Sequence, residues 1–259
     1  MENLTVTLVQ TSLHWHQPEK NREMLAQKLS ALNQPTDLII LPEMFTTGFS
    51  MDAPVVAETM DGPTLPWLAA QAKKHQAAIT GSLIIKEKAS YFNRLIWMQP
   101  DGSFQHYDKR HLFRMAGETE IYTAGRHKVI VSLKGWRICP LICYDLRFPV
   151  WSRNHQNEYD LSLYVANWPE KRALAWQTLL PARAIENLAY VVGVNRVGAD
   201  GNNITYSGNS AVYDFTGQTL WQQTQEEVVQ TLTLDGMALT VYRKAFPAYL
   251  DADDFKLKL

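Results

Sequence analysis

The stretch Arg137-Ile138-Cys139-Pro140-Leu141-Ile142-Cys143-Tyr144-Asp145-Leu146-Arg147-Phe148-Pro149 organises the reading of the chain. An apolar run, interrupted only by Pro140, leads up to Cys143. A polar cluster follows at once, and Pro149 suits the first turn of a helix. The pattern reads as a buried strand ending in a sharp turn, with a thiol at the strand-to-helix junction. Open α/β sheets place reactive groups there, outside the carboxyl ends of their strands. Backbone N–H groups at a helix start would lower the pKa of such a thiol. The plainer alternative is a cysteine that fills space, since free cysteine is among the most buried residue types.

Outward from this stretch, strands and helices alternate. Thr5–Gln10 alternates polar and apolar residues and reads as the first strand, and Asp37–Leu41 is a short buried one. Between them, Met24, Leu25, Leu29 and Leu32 share one face of a helix from Pro18 to Leu32. A helix over Pro63–His75 precedes a strand over Ala77–Ile85. Asn93–Met98 and Phe104–Tyr107 flank the hairpin turn Gln99-Pro100-Asp101-Gly102. Arg114–His127 reads as a loop, and Val129–Val131 pairs with Trp136–Cys143 through Lys134-Gly135. Helix (Pro149–Asn157), strand (Leu161–Val165), helix (Arg172–Leu188) and strand (Tyr190–Val194) follow, a series that implies crossover connections. Asn209–Tyr213 and Val228–Leu234 add strands, and Asp235 is placed to cap a last helix ending at Ala245. No repeat or linker divides the chain, which reads as a single α/β domain over residues 1–259.

Composition narrows the function. The 46% hydrophobic content of 259 residues suffices for one large core, and a net charge of −1 leaves no electrostatic footprint for nucleic acid or anionic membrane. Cys139 and Cys143 are four apart in one strand, roughly 13 Å between Cα atoms, too far to bridge. With no basic and apolar leader in Met1-Glu2-Asn3-Leu4-Thr5, the expectation is a reduced, cytoplasmic protein. The seven histidines show no metal-ligand spacing.

Three apolar strands thus end in an acid (Glu43), a base (Lys109) and a thiol (Cys143). Singly, these are a loop carboxylate, a basic loop and a buried cysteine. Together they are what thiol catalysis requires: a proton acceptor for the nucleophile, and positive charge with N–H donors for the tetrahedral intermediate.

At Leu41-Pro42-Glu43-Met44-Phe45, Asp108-Lys109-Arg110-His111-Leu112-Phe113 and Cys143-Tyr144-Asp145-Leu146-Arg147-Phe148-Pro149 the chain resembles the nitrilase superfamily of carbon–nitrogen hydrolases, with Asn167-Trp168-Pro169 and Arg183-Ala184-Ile185-Glu186-Asn187 as further matching blocks. The resemblance covers roughly residues 1–235, leaving the tail as a C-terminal extension. It implies a four-layer α-β-β-α sandwich, usually paired as a homodimer. The blocks around Lys109 and Asn167 are most similar to the omega-amidase branch, which removes the side-chain amide of 2-oxoglutaramate and 2-oxosuccinamate. The implied roles are Cys143 as nucleophile, Glu43 as general base, and Lys109 with the Tyr144 N–H as oxyanion donors. Glu118, with Glu120 as its rival, is the second glutamate. No cofactor or metal is required. A fork-shaped cation suits a substrate carboxylate, with Arg172 the first candidate and Arg114 the second. Phe113, Tyr144 and Trp168 would wall the pocket, and Arg183, Glu186 and Asn187 read as a structural network at helical spacing.

Three rivals remain at this level. One is a hydrolase of another small amide or a nitrile. Another is a papain-like enzyme with His111 or His155 as base, and the last a non-catalytic binding protein on the same fold.

Overall fold

A computed structural model describes residues 1–258. In chain order its elements are β1 (Leu4–Gln10), α1 (Pro18–Ser30), β2 (Leu38–Ile40), α2 (Ala53–Val56), α3 (Thr64–His75), β3 (Ala78–Glu87), β4 (Ser90–Met98) and β5 (Phe104–Asp108). Then come α4 (Glu118–Ile121), β6 (Val131–Leu133), β7 (Trp136–Ile142), α5 (Pro149–Ser152), β8 (Leu161–Ala166), α6 (Ala173–Asn187) and β9 (Tyr190–Asn195). The chain closes with β10 (Val197–Ala199), β11 (Thr205–Tyr213), β12 (Thr219–Thr224), β13 (Val228–Leu234) and α7 (Gly236–Ala245).

The strands form two sheets, β13-β1-β2-β3-β4-β5 and β10-β11-β9-β8-β7-β6, with β12 added beside β11. Each holds a parallel trio, β1-β2-β3 or β7-β8-β9, flanked by antiparallel strands. The period of two decides what each face packs against. Leu38 and Ile40 of β2 join the core shared with the second sheet, while Ile39 joins Leu25, Leu29, Leu68 and Ala72 of α1 and α3. On the far side, Trp176, Leu180 and Ala184 of α6 pack on the second sheet. Helix, sheet, sheet and helix make the expected four-layer α-β-β-α sandwich of the nitrilase type. Pro140 sits inside β7 where one side is open, β6 pairing only as far as Ile138, while β8 pairs it on the other side at Leu163.

Some local expectations change. Arg114–His127 is not all loop: a 3₁₀ turn over Arg114–Ala116 and the short α4 interrupt it. The helix from Pro149 stops at Ser152 because Arg153 leaves the helical region with ψ 131°, and His155–Asn157 is a separate turn in which Gln156 has a positive φ of 50°. The strands β10 and β12 were not anticipated, being short or polar and exposed. Asp235 caps α7 by accepting from Met237 and Ala238 N–H groups, as its position suggested.

Candidate active site

The parallel trios run so that their carboxyl ends meet at one end of the sandwich, and the residues singled out above gather there. Glu43 lies just past β2, Lys109 directly after β5, Cys143 directly after β7 and Asn167 directly after β8. The Lys109 end is braced by Arg94 of β4, whose guanidinium grips Asp108 at 2.6 and 2.9 Å. Lys109 N–H also donates to the Asn93 carbonyl at 2.9 Å.

Lys109, Glu43 and Glu118 form one buried cluster with no exposed side-chain surface. The ammonium donates to Glu43 Oε1 at 3.0 Å and to both oxygens of Glu118 at 3.0 Å. Asn93 Nδ2 bridges the two carboxylates, at 2.8 Å to Glu43 and 3.4 Å to Glu118. Glu43 Oε2 accepts from the Asn167 backbone N–H at 2.8 Å. Glu118 reaches the cluster because Gly117, at φ 77°, turns the chain into α4. Glu120, two residues on, is exposed.

Two of the strained backbone positions lie at this cluster. Met44 and Cys143, both non-glycine, hold φ at 43° and 44°, a left-handed conformation costing on the order of 1–3 kcal/mol each. The turn at Cys143 is held by Asp145, fully buried, which accepts from the Ile142 N–H (3.1 Å), the Tyr107 hydroxyl (2.7 Å), and the His111 N–H (2.9 Å) and Nδ1 (2.8 Å). Arg183 adds a second brace by donating to the Leu146 carbonyl at 2.7 Å while pairing with Glu186.

Electrostatics corrects one expectation. A thiol at a helix start was expected to have a lowered pKa, but that of Cys143 is raised well above the ordinary value. Burial is the largest cause and the Glu43 carboxylate the next; Lys109 only partly offsets them. For Lys109, burial favours the neutral amine, yet Glu118 and Glu43 outweigh it and raise the pKa. Glu118 is raised chiefly by burial, which Lys109 does not cancel. Cys139 is buried mid-strand and pushed up to about 12 by that burial; both cysteines are free.

Cys143 and Lys109 form part of the floor of a cleft of about 490 Å³, its open mouth included. Phe113, Tyr144, Trp168 and Arg172 all line it, and Arg114 does not. Sequence reasoning missed Arg147, Asn167, Phe49 and Tyr206, which line it too. Arg172 lies over the Phe113 ring and Arg147 over Trp168, each 5.0 Å from the centroid. Neither arginine has a carboxylate partner among the described residues. Among the described residues no histidine lines the cleft: His111 turns its Nδ1 to Asp145, and His155 meets Asp254 at 3.1 Å. Among the described residues no group of three or more His, Cys, Asp or Glu is arranged to hold a metal ion.

A two-sheet sandwich with glutamate, lysine and cysteine converging at its strand ends defines an α-β-β-α hydrolase. The carbon-nitrogen hydrolase family matches residues 5–244, a span that takes in all but the last residue of α7. The chain belongs to that family and is an amidohydrolase. It is 46% identical over 258 residues to omega-amidase YafV of Escherichia coli (strain K12), covering 99% of this chain and 100% of that one. It is 29% identical over 251 residues to the 2-oxoglutaramate amidase of Bacillus subtilis (strain 168), covering 95% and 96% of the two chains. A crystal structure of a CN-hydrolase superfamily protein from Xanthomonas campestris, with an arsenic adduct in its active site, superposes with a TM-score of 0.98. That protein is 51% identical, and the match covers 100% of each chain. No helix among the described residues is long and apolar enough to cross a membrane.

Proposed function

We propose that this enzyme releases ammonia from the side-chain amide of small 2-oxo acid amides such as 2-oxoglutaramate and 2-oxosuccinamate, through a thioester on Cys143. The observation that carries the reading is the cleft itself. The thiol and the Lys109 ammonium form part of its floor with two carboxylates behind, and Arg147 and Arg172 stand beside them without carboxylate partners. A guanidinium stacked on an aromatic face is held ready for a planar carboxylate.

The chemistry follows from the contacts. Cys143 rests as a thiol, so its proton passes to Glu43 as sulfur attacks the amide carbon. Lys109 Nζ and the Tyr144 N–H, in the first turn after the strand where such groups lack helical partners, hold the oxyanion. Glu43 returns the proton to nitrogen, the C–N bond breaks and ammonia leaves. Water then attacks the thioester, giving its proton to Glu43, and the acid departs with the thiol restored. Glu118 holds Lys109 in place and adjoins the reacting amide. Every role falls to side chains and backbone, so the reading requires no metal or cofactor.

The charged residues lining the cleft are Lys109, Arg147 and Arg172, all cations. An added ammonium on the substrate finds no acceptor among them, and like charges opposed at a site cost several kcal/mol. The test is ammonia release from 2-oxoglutaramate, glutamine, asparagine and a matching nitrile side by side. We expect kcat/KM for 2-oxoglutaramate to exceed that for glutamine by about a hundredfold or more. A preference for glutamine refutes the substrate assignment; preference for the nitrile refutes the amide. We further place the enzyme in the cytoplasm, where two free cysteines stay reduced. We also propose a homodimer, for which exposed Leu174 and Ile185 of α6 offer an apolar face, to be checked by light scattering.

A further inference from the structure

Asn167 is 4% exposed and does two things for Glu43. Its backbone N–H donates to Glu43 Oε2, and its Nδ2 donates to the Glu43 carbonyl oxygen at 2.6 Å. A carbonyl oxygen only accepts, so the side-chain amide is fixed with its nitrogen toward Glu43 and its oxygen turned away. That Oδ1 is buried and has no hydrogen-bond partner, although Asn167 lines the cleft with Cys143. Buried polar atoms are nearly always paired, and an orphan beside a binding cleft points to a donor brought by the ligand. The charged groups that line the cleft are all donors, so none of them accepts an N–H from the ligand.

We propose that Asn167 is a specificity-determining residue: its Oδ1 accepts an N–H of the scissile carboxamide, selecting a primary amide over an ester of the same acid and over the carboxylate product. This rests on the reading of Cys143 as the nucleophile on an amide. With the carbonyl oxygen of the substrate turned to Lys109, the planar NH₂ group is directed to the other side of the reacting carbon. As the C–N bond breaks, the nitrogen takes the proton from Glu43 and leaves as ammonia, still an N–H donor to Oδ1. The product has oxygen in that place, so a lone pair meets a lone pair and the acid is expelled.

An amide and a methyl ester of one 2-oxo acid give the same thioester. What Asn167 does for the thiol or for the hydrolytic water therefore falls on both substrates; its contact with nitrogen and its hold on Glu43, which protonates the leaving group, bear more on the amide, and binding without turnover separates those two. In the full-length enzyme, Asn167→Ala is expected to lower the ratio of amide to ester kcat/KM by about tenfold or more, the backbone bond to Glu43 being retained. Equal losses on both substrates overturn the inference while leaving the proposed function standing. Wild-type enzyme that releases no ammonia from any amide overturns both. A second measurement does not depend on that variant folding: in Cys143→Ala, the amide should bind about tenfold more tightly than either its methyl ester or its acid product. Equal affinities there also refute the role of Asn167.

Discussion

Replacing Lys109 by methionine removes the charge from the centre of the site while keeping a side chain of similar length. The ammonium lies 3.0 Å from both Glu43 and Glu118, and none of the three side chains has exposed surface. Removing one partner of a buried ion pair costs about 3–5 kcal/mol, because the charge left behind is no longer compensated. For a chain of this size each kcal/mol is roughly 2–4 °C, so the unfolding midpoint should fall by about 6–20 °C near neutral pH. The loss must also depend on pH, with a definite sign. Burial already raises the Glu118 pKa above 4.5 with Lys109 opposing it, and without the ammonium it rises further. A carboxylate with a raised folded-state pKa supports the fold below its unfolded value and withdraws that support as pH climbs through the folded one. The deficit should therefore be small near the unfolded value and complete at mildly alkaline pH. Scanning calorimetry across that range, with ammonia release on the same samples, measures both consequences. Activity should fall by a factor of at least about a hundred through loss of an oxyanion donor. Adding Glu118→Gln should recover part of the stability and none of the activity. A single variant that unfolds within about 2 °C of wild type at all pH values would refute the picture of a compensated buried cluster.

Three further outcomes are expected. Cys143→Ser should abolish turnover, and Cys139→Ser should leave it within about threefold, with iodoacetamide peptide mapping finding Cys143 labelled first. Asp145→Asn, which forfeits charge-assisted acceptance from Ile142, Tyr107 and His111, should destabilise by about 2–3 kcal/mol in denaturant titration and lower kcat more than it raises KM. Arg147→Lys and Arg172→Lys should each raise KM for 2-oxoglutaramate by about tenfold yet leave turnover of an uncharged amide such as butyramide unchanged; equal effects on both amides would remove the arginines from carboxylate binding.

What was legible in the sequence, and what was not, follows the range of the forces involved. The strands that build the interior could be read because an apolar run such as Leu38-Ile39-Ile40 has only one way to bury both faces. The order Glu43, Lys109, Cys143 could be read because each residue sits at or just beyond such a strand's end. β12, by contrast, is polar and half exposed, held by its pairing with β11 and by nothing in its own composition. Glu118 and Glu120 are the same residue type two positions apart, and only the left-handed turn at Gly117 sends one inward. Arg147 and Asn167 carry no local sign of a task at the pocket, because only the closing of the sheets brings them to one cleft, from the ends of β7 and β8. The reactivity of the thiol shows the same limit most clearly. Its own neighbourhood, a strand end with free N–H groups, argues for a lowered pKa; what decides the matter is burial and a carboxylate a hundred positions away in the chain. A thiol held neutral in this way reacts slowly with electrophiles that bring no carbonyl group to Lys109. It becomes a nucleophile when a carbonyl group lies against Lys109 and Glu43 is free to take the proton. Substrate binding and activation of the thiol are then one event, and the strained φ at Cys143 and the Asp145 clamp serve to keep the sulfur where that event occurs.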